Sequence, residues 1–76
     1  MNKKATLAEL TVGESAVVRS IDSGSYIRRR LRDLGLINGT TVECVMKSPL
    51  GDPAAYLIRG AVIALRNEDS CVVRLS

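Results

Sequence analysis

The sequence contains no histidine, phenylalanine or tryptophan. Without histidine, the chain lacks the commonest general base, the commonest metal ligand and the usual partner in a nucleophilic triad. The glycines form neither a P-loop nor a dinucleotide-binding motif, and most of the carboxylates fall in turns or beside arginine. We therefore predict that the protein is not an enzyme and that it holds no cofactor and no metal.

Cysteines and long apolar segments are also scarce. Cys44 and Cys71 lack the close spacing of a metal knuckle or a redox pair, so we expect both to be buried as small hydrophobic side chains. The longest apolar run, residues 61–65, is far shorter than the roughly 20 residues that span a bilayer. The N-terminal residues include two lysines but no apolar signal-peptide core. We therefore expect a cytoplasmic protein.

The length of 76 residues predicts a single domain over residues 1–76. Residues 6–9 match the capping box, which predicts a short N-terminal helical turn opened by Thr6 and supported by Glu9. Short segments rich in valine, isoleucine and leucine predict five strands, at residues 15–21, 41–47, 54–59, 61–66 and 71–75. In the second of these, alternation places Val42, Cys44 and Met46 on one face. A polar turn is expected at residues 67–70. The pattern indicates a mainly β fold, a small barrel or tightly rolled sheet.

One helix is predicted, at about residues 25–34. Ser25 is a suitable N-cap residue, and Gly35 suits the left-handed position that ends a helix, with Leu36 folding back onto the last turn. The helix carries one apolar stripe at a 3.6-residue period, formed by Ile27, Leu31 and Leu34.

Arginines dominate the opposite side of this helix. Residues 25–34 carry a net charge of +3, which equals the net charge of the whole chain. Three arginines project away from the apolar stripe and form what we call the basic ridge, Arg28, Arg29 and Arg32. The ridge has three interpretations: a solvated face in which Arg29 or Arg30 pairs with Asp33, a docking surface for an acidic protein, or a nucleic-acid contact.

The second candidate site is the loop at residues 48–53, which has the sequence SPLGDP. As a purely structural element it is a stiff hairpin connection, because Pro49 presets its own backbone angle and Gly51 tolerates an unusual one. As a functional element, it presents Leu50 as a preorganised contact for a partner.

Three segments together resemble a known family: TLAELTVGESAVV, then RRRLRDLGLINGTTVECV, then SPLGDPAAYLIRGAVIALR. In this order they are similar to ferrous iron transport protein A (FeoA). The resemblance implies an SH3-like β-barrel of five to six short strands with one basic helix. It also implies a non-enzymatic cytoplasmic accessory protein of ferrous iron uptake. The implied partner is FeoB, a membrane permease with a cytoplasmic GTPase domain. The chain would associate with the membrane only by binding this partner.

Combining the resemblance with the residues gives a hypothesis for the site. The basic ridge and three residues of the loop, Leu50, Gly51 and Asp52, are expected to contact FeoB. No ferrous iron site is expected on the chain itself, because histidine is absent. A nucleic-acid-binding or regulatory small barrel is the alternative function, although no nucleic acid is expected for an FeoB adaptor. Weak self-association through an uncovered strand edge or Leu50 also stays open.

Overall fold

The computed structural model describes residues 4–22 and 24–76, which form a five-stranded antiparallel sheet with short helices. A 3-10 turn at Leu7–Glu9 precedes the sheet. The strands are β1 (Ser15–Ile21), β2 (Thr41–Lys47), β3 (Ala54–Ile58), β4 (Ala61–Leu65) and β5 (Val73–Leu75). The helices are α1 (Ser25–Asp33), between β1 and β2, and α2 (Asn67–Ser70), between β4 and β5. None of these helices has the length and apolar character needed to cross a bilayer.

The strand order is β4-β3-β2-β1-β5, and β1 bends between two partners. The first residues of β1 pair with β2 and its last residues pair with β5, with a register shift between Val18 and Ser20. Such an irregularity bends a strand, so the sheet rolls around one apolar core. The N-terminal segment covers the outer side of β5, where the Leu75 amide donates to the Ala5 carbonyl at 2.9 Å.

The predicted strands agree with the structure except near their ends. β1 and β2 have the predicted bounds, β3 and β4 each end one residue early, and β5 begins two residues late. β5 begins later than predicted because residues 67–70 form the one-turn helix α2 rather than a polar turn. Cys71 is the C-cap residue of that helix and is exposed, so the prediction that it is buried is wrong, whereas Cys44 is buried as predicted.

Two local predictions are also corrected. The register shifts between Cys44 and Met46, so Met46 leaves the buried face of β2 and is 61% exposed. The capping box does not form as predicted, because the Thr6 hydroxyl makes no cap bond and instead donates to the Glu9 carboxylate at 3.3 Å. The Glu9 carboxylate accepts from the amide of Ala5, one residue before the expected one.

Candidate functional site

The start of α1 is set by a glycine. Gly24 occupies the N-cap position with an extended backbone, and its carbonyl accepts a hydrogen bond from the Arg28 amide at 3.0 Å. Ser25 is already the first helical residue. The prediction that Ser25 is the N-cap residue is therefore wrong by one position.

The end of α1 follows the prediction closely. Gly35 has a φ of +106°, and its amide donates to the Arg32 carbonyl at 2.9 Å. The Leu36 amide reaches back to the Leu31 carbonyl at 3.2 Å, which completes a Schellman motif. Leu31 in the last turn of α1 and Leu36 just after the helix are both fully buried, so these two side chains fix the end of the helix to the core. This anchoring sets the direction in which the basic ridge faces.

The basic ridge lines a surface cleft. Arg28, Arg29 and Arg32 border a depression of about 430 Å³ together with Asp33 and Ile37. The structure thus brings the three predicted ridge residues to one place on the surface. Ile37 is 39% exposed, so the cleft offers an apolar contact beside the guanidinium groups.

Two neighbouring clefts extend the positive surface beyond the helix. One is lined by Arg28 and Arg32 together with Arg19 of β1, and the other by Arg32 together with Arg59. Ile37 lines both. We call this larger surface the basic face, which consists of Arg19, Arg28, Arg29, Arg32 and Arg59.

Arg59 joins the basic face because of an unusual turn. It is a non-glycine residue with a positive φ of +50°, and with Gly60 it makes the two-residue connection between β3 and β4. Its side chain passes over Gly35 so closely that a Cβ atom on that glycine would lie 2.6 Å from the Arg59 Cδ. A glycine after Arg59 predicts a turn, but no feature of the sequence predicts that this turn packs on the end of α1.

Arg30 pairs with a carboxylate outside α1. Its Nη2 donates to the Asp69 Oδ2 of α2 at 2.8 Å, whereas the sequence suggested pairing within α1 to Asp33. The partners are 39 residues apart in the sequence, beyond the reach of any helical-spacing rule. The ion pair connects α1 to α2, and the Asp69 side chain is only 15% exposed.

The loop at residues 48–53 is a tight, hydrogen-bonded turn. The Gly51 amide donates to the Ser48 carbonyl at 2.8 Å, and Gly51 has a φ of +87°. Leu50 is 95% exposed at the tip of this turn. Asp52 has a structural contact, because its Oδ1 accepts a hydrogen bond from the Asn67 amide at 2.8 Å and so caps the start of α2.

The ridge and the loop line different parts of the surface. The clefts at the ridge include no loop residue among those described. The short helix α2 links them instead, because it is capped by Asp52 from the loop and bound at Asp69 by Arg30 from α1. Within residues 4–22 and 24–76, no three cysteine or carboxylate side chains converge to hold a metal ion.

Comparison with known proteins assigns the chain to a family. The model of the FeoA domain matches residues 5–76. A fusion of Fe(2+) transport protein A with the Fe(2+) transporter FeoB, from Porphyromonas gingivalis, is 32% identical over 69 residues. That match covers 91% of this chain but only 8% of the length of the fusion protein.

Solved structures agree in fold. An FeoA-like protein from Clostridium acetobutylicum superposes with a TM-score of 0.87 at 30% identity, covering 100% of this chain and 88% of that one. FeoA of Stenotrophomonas maltophilia superposes with a TM-score of 0.84 at 35% identity, covering 96% of this chain and 91% of that one. That structure was solved with zinc and is described as an SH3 domain protein. The fold is therefore SH3-like, as the sequence resemblance implied. The chain belongs to the FeoA domain family.

Proposed function

We propose that the chain is a non-enzymatic accessory protein of ferrous iron uptake that acts by binding an FeoB-type transporter. The observation that carries this proposal is the Porphyromonas gingivalis fusion, in which a region similar to this chain shares one polypeptide with an Fe(2+) transporter. Fusion keeps two modules at a high effective concentration, which is useful when the two modules work by contact.

The proposed contact surface on this chain is the basic face. Arginine presents a planar fork of donors that matches carboxylate groups, and clustered charge increases the rate of encounter with an acidic surface. Ile37 lies among these arginines with 39% exposure, and it supplies an apolar centre for the contact. The partner surface is therefore expected to be acidic, and we place it on the cytoplasmic GTPase domain of the transporter.

The loop at residues 48–53 is the second proposed contact. Leu50 is almost fully exposed, and the hydrogen bond between Gly51 and Ser48 already holds the turn. A loop that is ordered before binding loses less conformational entropy when it docks. Gly51 and Asp52 belong to this contact because they fix the position from which Leu50 projects.

The test is a titration of the purified GTPase portion of an FeoB-type transporter with the chain, with and without a GTP analogue. We expect saturable binding that changes with the nucleotide. The double variant Arg29→Glu, Arg32→Glu should weaken it by at least about tenfold, because the reversed charges would repel an acidic partner. The absence of binding in both nucleotide states would contradict the proposal for this domain.

A matched control separates a local contact from a general effect of charge. The double variant Lys4→Glu, Arg74→Glu carries the same change in net charge but alters residues outside the clefts of the basic face and away from the loop at residues 48–53. It should bind nearly as well as the unmodified chain. Equal losses in both variants would remove the basic face as the contact. Binding to DNA or RNA that falls steeply with salt would support the nucleic-acid alternative instead.

A further inference from the structure

β4 forms one edge of the sheet. This strand is last in the sheet order, and within the described residues it pairs only with β3. All five residues of Ala61–Leu65 are apolar, and their register with β3 is continuous, without a bulge. Proteins usually protect such an edge with charges, proline, a bulge or a covering segment. The opposite edge of the sheet has a cover, since Ala5 binds β5 there.

The turn before β4 determines which peptide groups face outward. Only Arg59 and Gly60 separate the paired residues Ile58 and Ala61, so the hairpin closes on a hydrogen-bonded pair. Hydrogen-bonded and non-bonded pairs alternate along antiparallel strands. The peptide groups of Ala61, Ile63 and Leu65 therefore face β3. Those of Val62 and Ala64 face outward.

The side chains of these two residues continue an apolar surface across the outer face of the sheet. Val62 is 64% exposed and lies opposite Leu57 of β3. Ala64 lies opposite Ala55, which in turn lies opposite the exposed Met46 of β2. We call this surface the outer patch, which consists of Met46, Leu57, Val62 and Ala64, with the buried Ala55 between Met46 and Ala64.

We infer that the β4 edge binds β4 of a second copy of this chain. The strands would run antiparallel, with Ile63 opposite Ile63 of the second copy and Val62 opposite its Ala64. In this register the outward N–H and C=O groups of Val62 and Ala64 are all paired in both copies. Small residues also face large ones, because Ala64 meets Val62 and Ala61 meets Leu65.

The charges and the outer patch favour a second copy over an unrelated strand. In this register Arg66 lies opposite Gly60, and Arg59 lies opposite Asn67, so no like charges face each other. Residues directly opposite in a sheet point to the same face. The outer patches of the two copies would therefore join into one apolar surface across the interface. Because the strand is short, we expect a reversible dimer.

Sedimentation velocity over a range of concentrations tests the dimer. We expect a shift from monomer to dimer as concentration rises. Val62→Lys should raise the dissociation constant by at least about tenfold, because it puts a charge beside the apolar edge of the other copy. Val12→Lys is the matched control, since Val12 is also an exposed valine, at 58%, but lies outside β4. Circular dichroism would check that both variants stay folded.

Hydrogen exchange of individual amides tests the register. In the dimer, the amides of Val62 and Ala64 should exchange more slowly as concentration rises, and Val62→Lys should abolish that change. A chain that stays monomeric at every concentration would overturn the inference. A dimer that persists in Val62→Lys would also overturn it, as would a dimer in which the amides of Val62 and Ala64 stay unprotected. Both results are expected if Leu50 forms the dimer contact instead. Both measurements use the chain alone, so their outcome does not depend on the proposed transporter binding, although Arg59 lies at the border of the two surfaces.

Discussion

Gly35→Ala tests the packing that fixes the basic face. Gly35 has a φ of +106°, a backbone angle that L side chains rarely adopt. A Cβ atom at this position would also lie 2.6 Å from the Arg59 Cδ and 3.3 Å from the Ile58 Cγ2. Gly39 provides a comparison, because it has a similar φ of +95° but no atom within 4 Å of an added Cβ. The two glycines thus separate backbone strain from a steric clash.

The expected cost follows from these two terms. An L residue forced into the left-handed region destabilises the folded state by about 1–2 kcal/mol. Displacing the Arg59 side chain from its present rotamer costs a further 0.5–1.5 kcal/mol or so. We therefore expect Gly35→Ala to lower the free energy of unfolding by roughly 1.5–3.5 kcal/mol, and Gly39→Ala by about 1–2 kcal/mol. For a domain of this size, each 1 kcal/mol corresponds to a change in melting temperature of about 4–8 °C.

Urea unfolding followed by circular dichroism measures both costs, and a double-mutant cycle identifies the clash. Arg59→Ala removes the Cγ and Cδ atoms that an alanine at position 35 would meet. In that background, the cost of Gly35→Ala should fall close to that of Gly39→Ala in the unmodified chain, with only the 3.3 Å contact to the Ile58 Cγ2 left in addition. The reasoning fails if Gly35→Ala and Gly39→Ala cost the same, or if Arg59→Ala leaves the cost of Gly35→Ala unchanged.

Three further predictions concern other contacts. Cys71 should react with a thiol reagent in the folded protein and Cys44 only on unfolding, because Cys71 is exposed and Cys44 is buried; equal rates by mass spectrometry would contradict this. Arg30 and Asp69 should couple by about 0.2–1 kcal/mol in a double-mutant cycle, less at high salt, since the pair is partly exposed. Burial raises the pKa of the Tyr56 hydroxyl above its ordinary value of 10.0. As the pH rises, the unfolded chain therefore loses the hydroxyl proton before the folded chain does, and the free energy of unfolding should fall above about pH 10. Tyr56→Phe should reduce that fall in pH-dependent melting experiments, and an unchanged slope would contradict the assignment.

Local patterns were enough to predict most of the sheet and the end of α1. β1 and β2 are bounded by turn residues and consist of residues that favour strands, so their limits depend little on the rest of the chain. The predicted face of Met46 failed because alternation assumes a continuous register, and the irregularity after Cys44 depends on the pairing with β3. The helix α2 was missed because a four-residue helix has little stability of its own and is capped by Asp52 from a distant loop.

The candidate site was only partly predictable for a related reason. Helical periodicity placed the basic ridge on one side of α1, because that argument uses neighbouring residues alone. Arg19 and Arg59 join the basic face through tertiary packing, and a single arginine in a strand or a turn gives no signal of where it points. The partner of Arg30 was mispredicted because the nearest carboxylate in the sequence is not the nearest in space.

The position of α2 determines how variants in the loop can be interpreted. Asp52 caps α2, and Asp69 of the same helix binds Arg30 of α1. Removing the Asp52 carboxylate would therefore lower stability, by about 0.5–2 kcal/mol for a lost N-terminal cap, and would disturb the support of the helix that carries the basic ridge. Leu50 is almost fully exposed, so Leu50→Ser should leave stability nearly unchanged. A loss of transporter binding in Leu50→Ser would thus identify the loop as a contact, whereas the same loss in Asp52→Ala would not distinguish the loop from the ridge.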